Sequence, residues 1–481
     1  MTLKNNILLF LSFLIVIILL LTNLNNCFFW DTIHYGSIQS NYYFSTNHTN
    51  LIVPTNMDSG YIPTFAMYIA FIWRNFGRTL VNSHLAMLPF AIGIVWELYK
   101  LCNKFIKPEF SGIALLLIVV DPTILSQITL VSPDIPLVFF FILGVNAVLK
   151  NKKWLLTFSI ILLFLTSMRG VMVSLCILYL DLYCNIIFKG KFHLIFISLL
   201  KRSLIYIPAF LLFIVFNFYH YLEKGWIFSH GSSPWANTVN LVDVKGLLFN
   251  LGLLGWRILD YGKIGIWVVF FILVTKFRNE ILKLKETRIL IFFLKCILVF
   301  VHLSMLWANN MLAHRYFIPF NIIFSLLCAN ILFSDYVNIK LKYSLSILWL
   351  LVLLSGNFWI YPPKIAKGWD STLAHLPYYN LRKQAILYLD YKKINFKDVE
   401  SFFPNTATLN DIELNNDPRN FNNFEGKSKF VFYSNIFNIE DTIYDRITKE
   451  YKVVKSFKNR GVFITIYMKP KQFPLLNTSS H

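Results

Sequence analysis

Two kinds of residue in this chain have the type and setting for chemistry. The first are carboxylates beside apolar runs. Phe28-Phe29-Trp30-Asp31-Thr32-Ile33-His34-Tyr35 puts Asp31 just after an N-terminal apolar run, among aromatic rings and close to His34. Asp58 follows in Asn56-Met57-Asp58-Ser59-Gly60. Asp121 opens Asp121-Pro122-Thr123, and Asp134 lies in Ser132-Pro133-Asp134-Ile135-Pro136. A carboxylate at such a boundary can take a proton from a hydroxyl. A charged group within an apolar run is costly and marks a functional candidate. The second kind are cations on apolar borders: Arg169, Arg257, and Arg315 beside Tyr316. A guanidinium fork matches phosphate geometry.

Each has a plainer reading. Asp31 suits an aromatic belt at headgroup level. Asp134 suits the start of a helix, where negative charge is stabilised. The arginines, and more readily Lys263 and Lys295, can snorkel to lipid headgroups. His230 with Ser229, Gly231 and Trp235, and the run Trp369 to His375, read as solvated loops. The histidines show no HExxH spacing and there is no GxxxxGK[ST], which argues against a zinc hydrolase and a P-loop NTPase.

The elements that must carry these residues are apolar. Of 481 residues 56% are hydrophobic and 15% charged, with mean hydropathy +0.56. Soluble domains carry about 25% charged residues. The composition excludes a soluble enzyme, a disordered chain and a disulfide scaffold. The net charge, 45 − 25 = +20, points to cytoplasmic loops and membrane lipids rather than nucleic acid. The six cysteines include no CxxC pair, so neither a disulfide framework nor a cysteine metal site is expected.

Spanning takes about 20 apolar residues. The apolar runs give about eleven spans, near 5–24, 83–101, 111–131, 134–149, 154–167, 170–187, 203–220, 264–275, 289–306, 316–333 and 343–361. Basic clusters such as Lys100, Lys104 and Lys107, then Lys150, Lys152 and Lys153, alternate with a first long loop, 25–82, that has no Lys or Arg before Arg74. That pattern predicts a cytoplasmic N-terminus and an extracytoplasmic C-terminus. Residues 64–80 suit an amphipathic helix lying on the membrane. The short fourth and fifth spans, with polar ends, imply a wet recess open to the outside.

Residues 1–361 then read as one membrane domain and 362–481 as an extracytoplasmic domain. In the latter, 429–434, 452–457 and 461–468 read as strands and 440–449 as a helix, while 405–423 reads as solvated loop. The fold class is mainly α, a polytopic helical bundle with a small C-terminal α/β domain.

The acid after the first span, the long first loop with its surface helix, Ser132-Pro133-Asp134-Ile135-Pro136-Leu137-Val138-Phe139-Phe140 and the outer C-terminal domain together resemble the C-type membrane glycosyltransferases (GT-C). The nearest branch is the protein-mannosyltransferase-like group of bacterial enzymes that use polyprenyl-phosphate sugars. The resemblance covers residues 1–361, and 362–481 in architecture alone. It implies Asp31 as the first-loop acid and Asp134 as the second, with Asp121 a rival for that place. The candidate substrate-binding residues are Arg169, Arg257, Arg315, His34, Asp58 and Tyr316. Many members carry an Asp-Glu pair where this chain has Asp31-Thr32, so a divalent metal is an option rather than a requirement. The partners implied are a polyprenyl-phosphate sugar donor, a lipid, glycan or protein acceptor, and membrane lipids of a bacterial inner membrane. A flippase, or a polymerase or ligase for lipid-linked sugars, has similar features.

Overall fold

The computed structural model describes residues 3–185, 200–236, 240–309, 312–365 and 368–470. The last two residues of the sixth apolar run, 186 and 187, lie outside them. The chain divides into two compact units. The first comprises Met1–Phe28, His34–Trp359 and Asp370–Leu373; the second comprises Phe29–Ile33, Ile360–Trp369 and Ala374–His481.

The first unit is helical because Leu, Ile and Phe runs in an apolar solvent must satisfy their own backbone groups. A helix falls on each of the eleven apolar runs. Among the described residues five helices are long and apolar enough to cross a membrane: Leu3–Thr22, Leu80–Phe105, Met168–Asn185, His314–Leu332 and Ile339–Phe358. The number rises to seven if each of two bent pairs is one span. The first pair, Pro108–Val119 and Pro122–Ile128, bends by 67°. Pro122 has no N–H for the preceding ladder, and Asp121 caps the second helix by accepting from the Thr123 and Ile124 amides. The second pair, Val244–Leu259 and Ile264–Ile281, bends by 84°. Gly262, at φ +79°, sits in this bend, and a Cβ there would lie 2.2 Å from the Val352 carbonyl. Only glycine fits both the angle and the approach.

The two short apolar helices, Asp134–Leu149 and Lys153–Thr166, pack on each other. Ser159 Oγ donates to the Phe140 carbonyl at 2.5 Å across that contact. Within 64–80 a helix forms at Thr64–Phe76, with Phe65, Ala66, Ile69, Ala70 and Trp73 on its buried face.

The second unit holds a five-stranded sheet ordered β2-β1-β3-β5-β4, with β1 Val399–Ser401, β2 Asn422–Asn423, β3 Phe430–Ser434, β4 Lys452–Asn459 and β5 Val462–Met468. β1 runs parallel to β2 and β3, while β5 runs antiparallel to β3 and β4. The β4–β5 hairpin turns at Arg460 and Gly461, both at positive φ. The expected strands and the helix Asp441–Glu450 are in place. The reading of 405–423 as solvated loop is corrected. That stretch holds the helix Leu409–Glu413 and β2, and it buries Leu409, Ile412 and Phe421. Apolar side chains at those positions find a core that the Asn-rich composition conceals.

Phe29–Ile33 packs as part of this second unit. The Phe29 ring stacks on His375 with centroids 4.9 Å apart, and Trp30 meets Phe403 edge-on at 5.5 Å.

Candidate functional site

Asp134 is the first residue of the helix Asp134–Leu149. Its negative charge suits that end of the helix, yet its carboxylate turns to cations rather than to backbone amides. Oδ1 pairs with Arg169 Nη1, and Oδ2 lies 3.3 Å from Arg315 Nε. Ser132 Oγ donates to Oδ2 at 3.2 Å. Arg169 starts the helix Met168–Asn185 after the extended break at Ser167. Arg315 lies in the 3-10 turn His314–Phe317, which leads into Ile318–Leu332. Tyr316 lies beside both cations, its ring centroid 4.0 Å from the Arg169 guanidinium and 5.2 Å from that of Arg315. Asp134, Arg169, Arg315 and Tyr316 thus form one cluster.

The cluster has a further member. Arg315 Nη1 pairs with Asp370 Oδ2. The Asp370 carbonyl accepts from Ser126 Oγ at 2.8 Å and Gln127 Nε2 at 2.7 Å. The reading of Trp369 to His375 as solvated is therefore corrected: Trp369, Asp370, Ser371, Thr372 and His375 are buried. Nothing local marks Asp370 in the sequence, because its partner lies 55 residues away. Side-chain exposure within the cluster is graded: 4% for Asp134, 11% for Asp370, 13% for Arg315 and 17% for Arg169. The arginines keep an open edge while the bridging acid is sealed.

A second set is built differently. Lys263 Nζ donates to Thr123 Oγ1 at 2.8 Å and lies 3.8 Å from Asp121 Oδ1. The snorkelling reading of Lys263 is corrected, for its side chain is 2% exposed. The ammonium group reaches a buried acid in place of headgroups. His314 Nε2 lies 2.7 Å from Asp260 Oδ2, which also accepts from Trp256 Nε1 at 2.8 Å. Arg257 donates through Nε to the Leu312 carbonyl at 3.1 Å, and its Nη1 is 3.3 Å from His314 Nε2. Asp121 and Arg257 thus sit among framework contacts, apart from the Asp134 pairs.

Asp58 and His34 hold the first loop. Asp58 Oδ1 accepts from the Gly60 amide at 2.8 Å, and Oδ2 lies 3.0 Å from His220 Nε2. His34 Nε2 lies 2.9 Å from the Met57 carbonyl. The Tyr35 ring stacks on Trp235 at 4.5 Å. His220 was not singled out in the sequence because it lies within an apolar helix, 162 residues from Asp58.

Asp31 belongs to the second unit and the arginines to the first. Asp31 is half-buried, next to the buried Phe29 and Thr32. Among the described residues no group of three or more His, Cys, Asp or Glu is placed to hold a metal ion.

The fold as a whole has solved counterparts. Two solved structures share it: ArnT from Cupriavidus metallidurans bound to undecaprenyl phosphate, at a TM-score of 0.52, and the same protein in the apo state, at 0.51. In each case the identity is 10%, and the match covers 95% of this chain and 97% of the other. The likeness is one of fold. No family model matches the sequence, and no curated protein matches it.

Proposed function

We propose that this protein is an integral-membrane glycosyltransferase of the bacterial inner membrane that uses a polyprenyl-phosphate sugar. The carrying observation is the Arg169–Asp134–Arg315 cluster on the Tyr316 ring, within a chain that has the fold of a protein crystallised with undecaprenyl phosphate. The two guanidinium groups are fixed cations at the place where the donor's phosphate would gain charge. Fixed charge in a poorly solvated setting stabilises a leaving phosphate without reorganising at the moment of reaction.

Asp31 acts as the base. It takes the proton from the acceptor hydroxyl, and that oxygen attacks the anomeric carbon on the side opposite the phosphate. The bond from that carbon to the phosphate oxygen breaks, its electrons leave with the lipid phosphate, and the anomeric centre inverts. What supports this choice is position: Asp31 follows the first apolar helix, and its aromatic neighbours limit its hydration. Asp134 positions the arginines, and His34 and Asp58 shape the first loop beside the acceptor. The membrane region, residues 1–361, carries this chemistry, with the N-terminus cytoplasmic and residues 362–481 on the outer side.

The test is transfer by the purified protein in nanodiscs, with a radiolabelled polyprenyl-phosphate sugar and a panel of lipid, glycan and peptide acceptors. Labelled product linked through a new glycosidic bond of opposite anomeric configuration is the expected result. Donor translocation in vesicles without transfer would sink the proposal in favour of a flippase.

A further inference from the structure

The arginines proposed to receive a phosphate already hold carboxylates, and the two acids hold them in different ways. Asp134 bridges the cations. One oxygen faces Arg169, and the other faces Arg315 and the Ser132 hydroxyl. It is sealed and lies on a helix. Taking it away would leave two guanidinium groups side by side with nothing between them. Asp370 contacts only the Arg315 side of the cluster, with its side chain 11% exposed against 4% for Asp134. Its Oδ2 pairs with Arg315 Nη1, and its Oδ1 accepts from Ser371 Oγ at 3.3 Å. Its backbone is pinned through the carbonyl by Ser126 and Gln127, so the side chain can turn while the chain stays in place.

From this asymmetry we infer that Asp370 is a displaceable counter-ion that competes with the lipid phosphate for Arg315. The inference rests on the transferase reading and adds a means of releasing product to it. A carboxylate and a phosphate oxygen use the same N–H edge of a guanidinium. Asp370 holds an Nη1 N–H that the phosphate would take, and two anions sharing the cluster repel each other strongly in a poorly solvated site. The arriving donor phosphate therefore turns Asp370 out of the pair. After transfer, the lipid phosphate left behind carries an additional exposed oxygen and would hold the arginines tightly. The return of Asp370 to Arg315 offsets that grip and speeds departure, a step that limits turnover in many enzymes. Asp134 stays fixed throughout and keeps the two cations aligned. Asp370 is thus a positioning residue with a role in exchange, distinct from a group that reacts.

The test is equilibrium binding of undecaprenyl phosphate to the full-length protein in nanodiscs, with undecaprenol as the uncharged control. Asp370→Asn and Asp370→Ser should each bind undecaprenyl phosphate about tenfold more tightly than the wild type. Their affinity for undecaprenol should not change. In the transfer assay both variants should show a lower KM for donor together with a lower kcat, and stronger inhibition by added undecaprenyl phosphate. Weaker or unchanged undecaprenyl phosphate binding in both variants would overturn the inference. If Arg315→Ala still abolished binding in that case, the transferase reading would stand without it. A wild type that binds neither lipid would remove both. Two substitutions of different size guard against a folding defect in one of them.

Discussion

Two sets of acids and cations lie in the helical unit, and their residue types are nearly the same. In one, Asp134 and Asp370 hold Arg169 and Arg315. In the other, Asp121 faces Lys263, and Asp260 gathers His314 and Trp256. The first set leaves its cations partly open, whereas Lys263 and His314 in the second are sealed. The Asp121 carboxylate also caps a helix, and Asp260 Oδ1 accepts from the Tyr261 amide at 2.8 Å. The acids of the second set thus fix the two bends of the chain. The Asp134 carboxylate instead faces its arginines and the Ser132 hydroxyl. An acid and a cation become a ligand site when the cation keeps an accessible edge. They become framework when both are sealed and tied to backbone. Sealed pairs of this kind add little net stability over apolar packing, but breaking one by removing a single partner is costly.

The largest effect expected lies outside both sets. Asp31→Asn keeps the size of the side chain and cannot accept a proton. Transfer should fall by about 10²–10⁴-fold, with donor binding and folding retained. Near-normal turnover would move the base to Asp134 or Asp121. It would also break the comparison, because chemistry would then reside in one of the ion sets.

Next in size is Lys263→Met, which leaves Asp121 buried without its ammonium neighbour. The expected loss is about 3–5 kcal/mol of stability, read as an earlier thermal unfolding transition in detergent. The protein that remains folded should bind donor normally. Adding Asp121→Asn should recover part of the loss, since the two residues act as a pair. A Lys263→Met protein of normal stability and poor donor binding would place this set in the binding machinery and erase the distinction.

How far these roles were legible beforehand differs between fold and site. The helical runs were legible because apolar length in a membrane solvent leaves few other structures, and β3, β4 and β5 through their residue pattern and the turn at Arg460-Gly461. β1 was not legible. It has three residues and includes Glu400, which is buried because it accepts the amides of Gly426, Lys427 and Ser428 at 2.8–3.0 Å. Asp134, Arg169 and Arg315 were each visible as charges out of place in apolar sequence. Their pairing was not visible, since it depends on how the helices pack. Lys263 was misread for the same reason: its hydroxyl partner, Thr123, is 140 residues away. The allegiance of Phe29–Ile33 to the second unit is set by rings such as His375, far along the chain. A single sequence shows which charges are expensive; it does not show which partner relieves each.

Arg315→Ala sharpens the comparison from the open side. It removes one fixed cation from the proposed phosphate position, where a charge-assisted contact is worth roughly 1.5–3 kcal/mol. Donor KM should rise accordingly while thermal stability falls less than in Lys263→Met. Arg315→Lys keeps the charge but loses the planar fork, so its donor binding should be intermediate. If both variants saturate with donor as the wild type does, Arg315 has no part in the phosphate site.

The smallest effect comes from a more exposed ion pair, in the second unit. Arg419 donates to Asp417 Oδ2 through Nε at 3.0 Å and Nη2 at 2.7 Å, and its side chain is 43% exposed. These hydrogen bonds hold the Asp417 carboxyl below its ordinary range, against an upward push from partial burial. A carboxylate with a lowered folded pKa contributes stability that is fully present above its unfolded value and is lost as pH falls through the folded one. Exposure to solvent limits the contribution to roughly 0.2–1 kcal/mol. Two nearby backbone bonds report on it: Leu409 N–H to the Arg419 carbonyl at 2.8 Å and Asn410 N–H to the Asp417 carbonyl at 2.7 Å. In Asp417→Asn, amide exchange at Leu409 and Asn410 should be modestly faster than in the wild type at pH 7. The difference should shrink as the pH is lowered through the acid range and close once the wild-type carboxylate is protonated. An exchange difference as large at low pH as at neutral pH would assign the effect to packing, and exposure would then fail to rank the ion pairs of this protein.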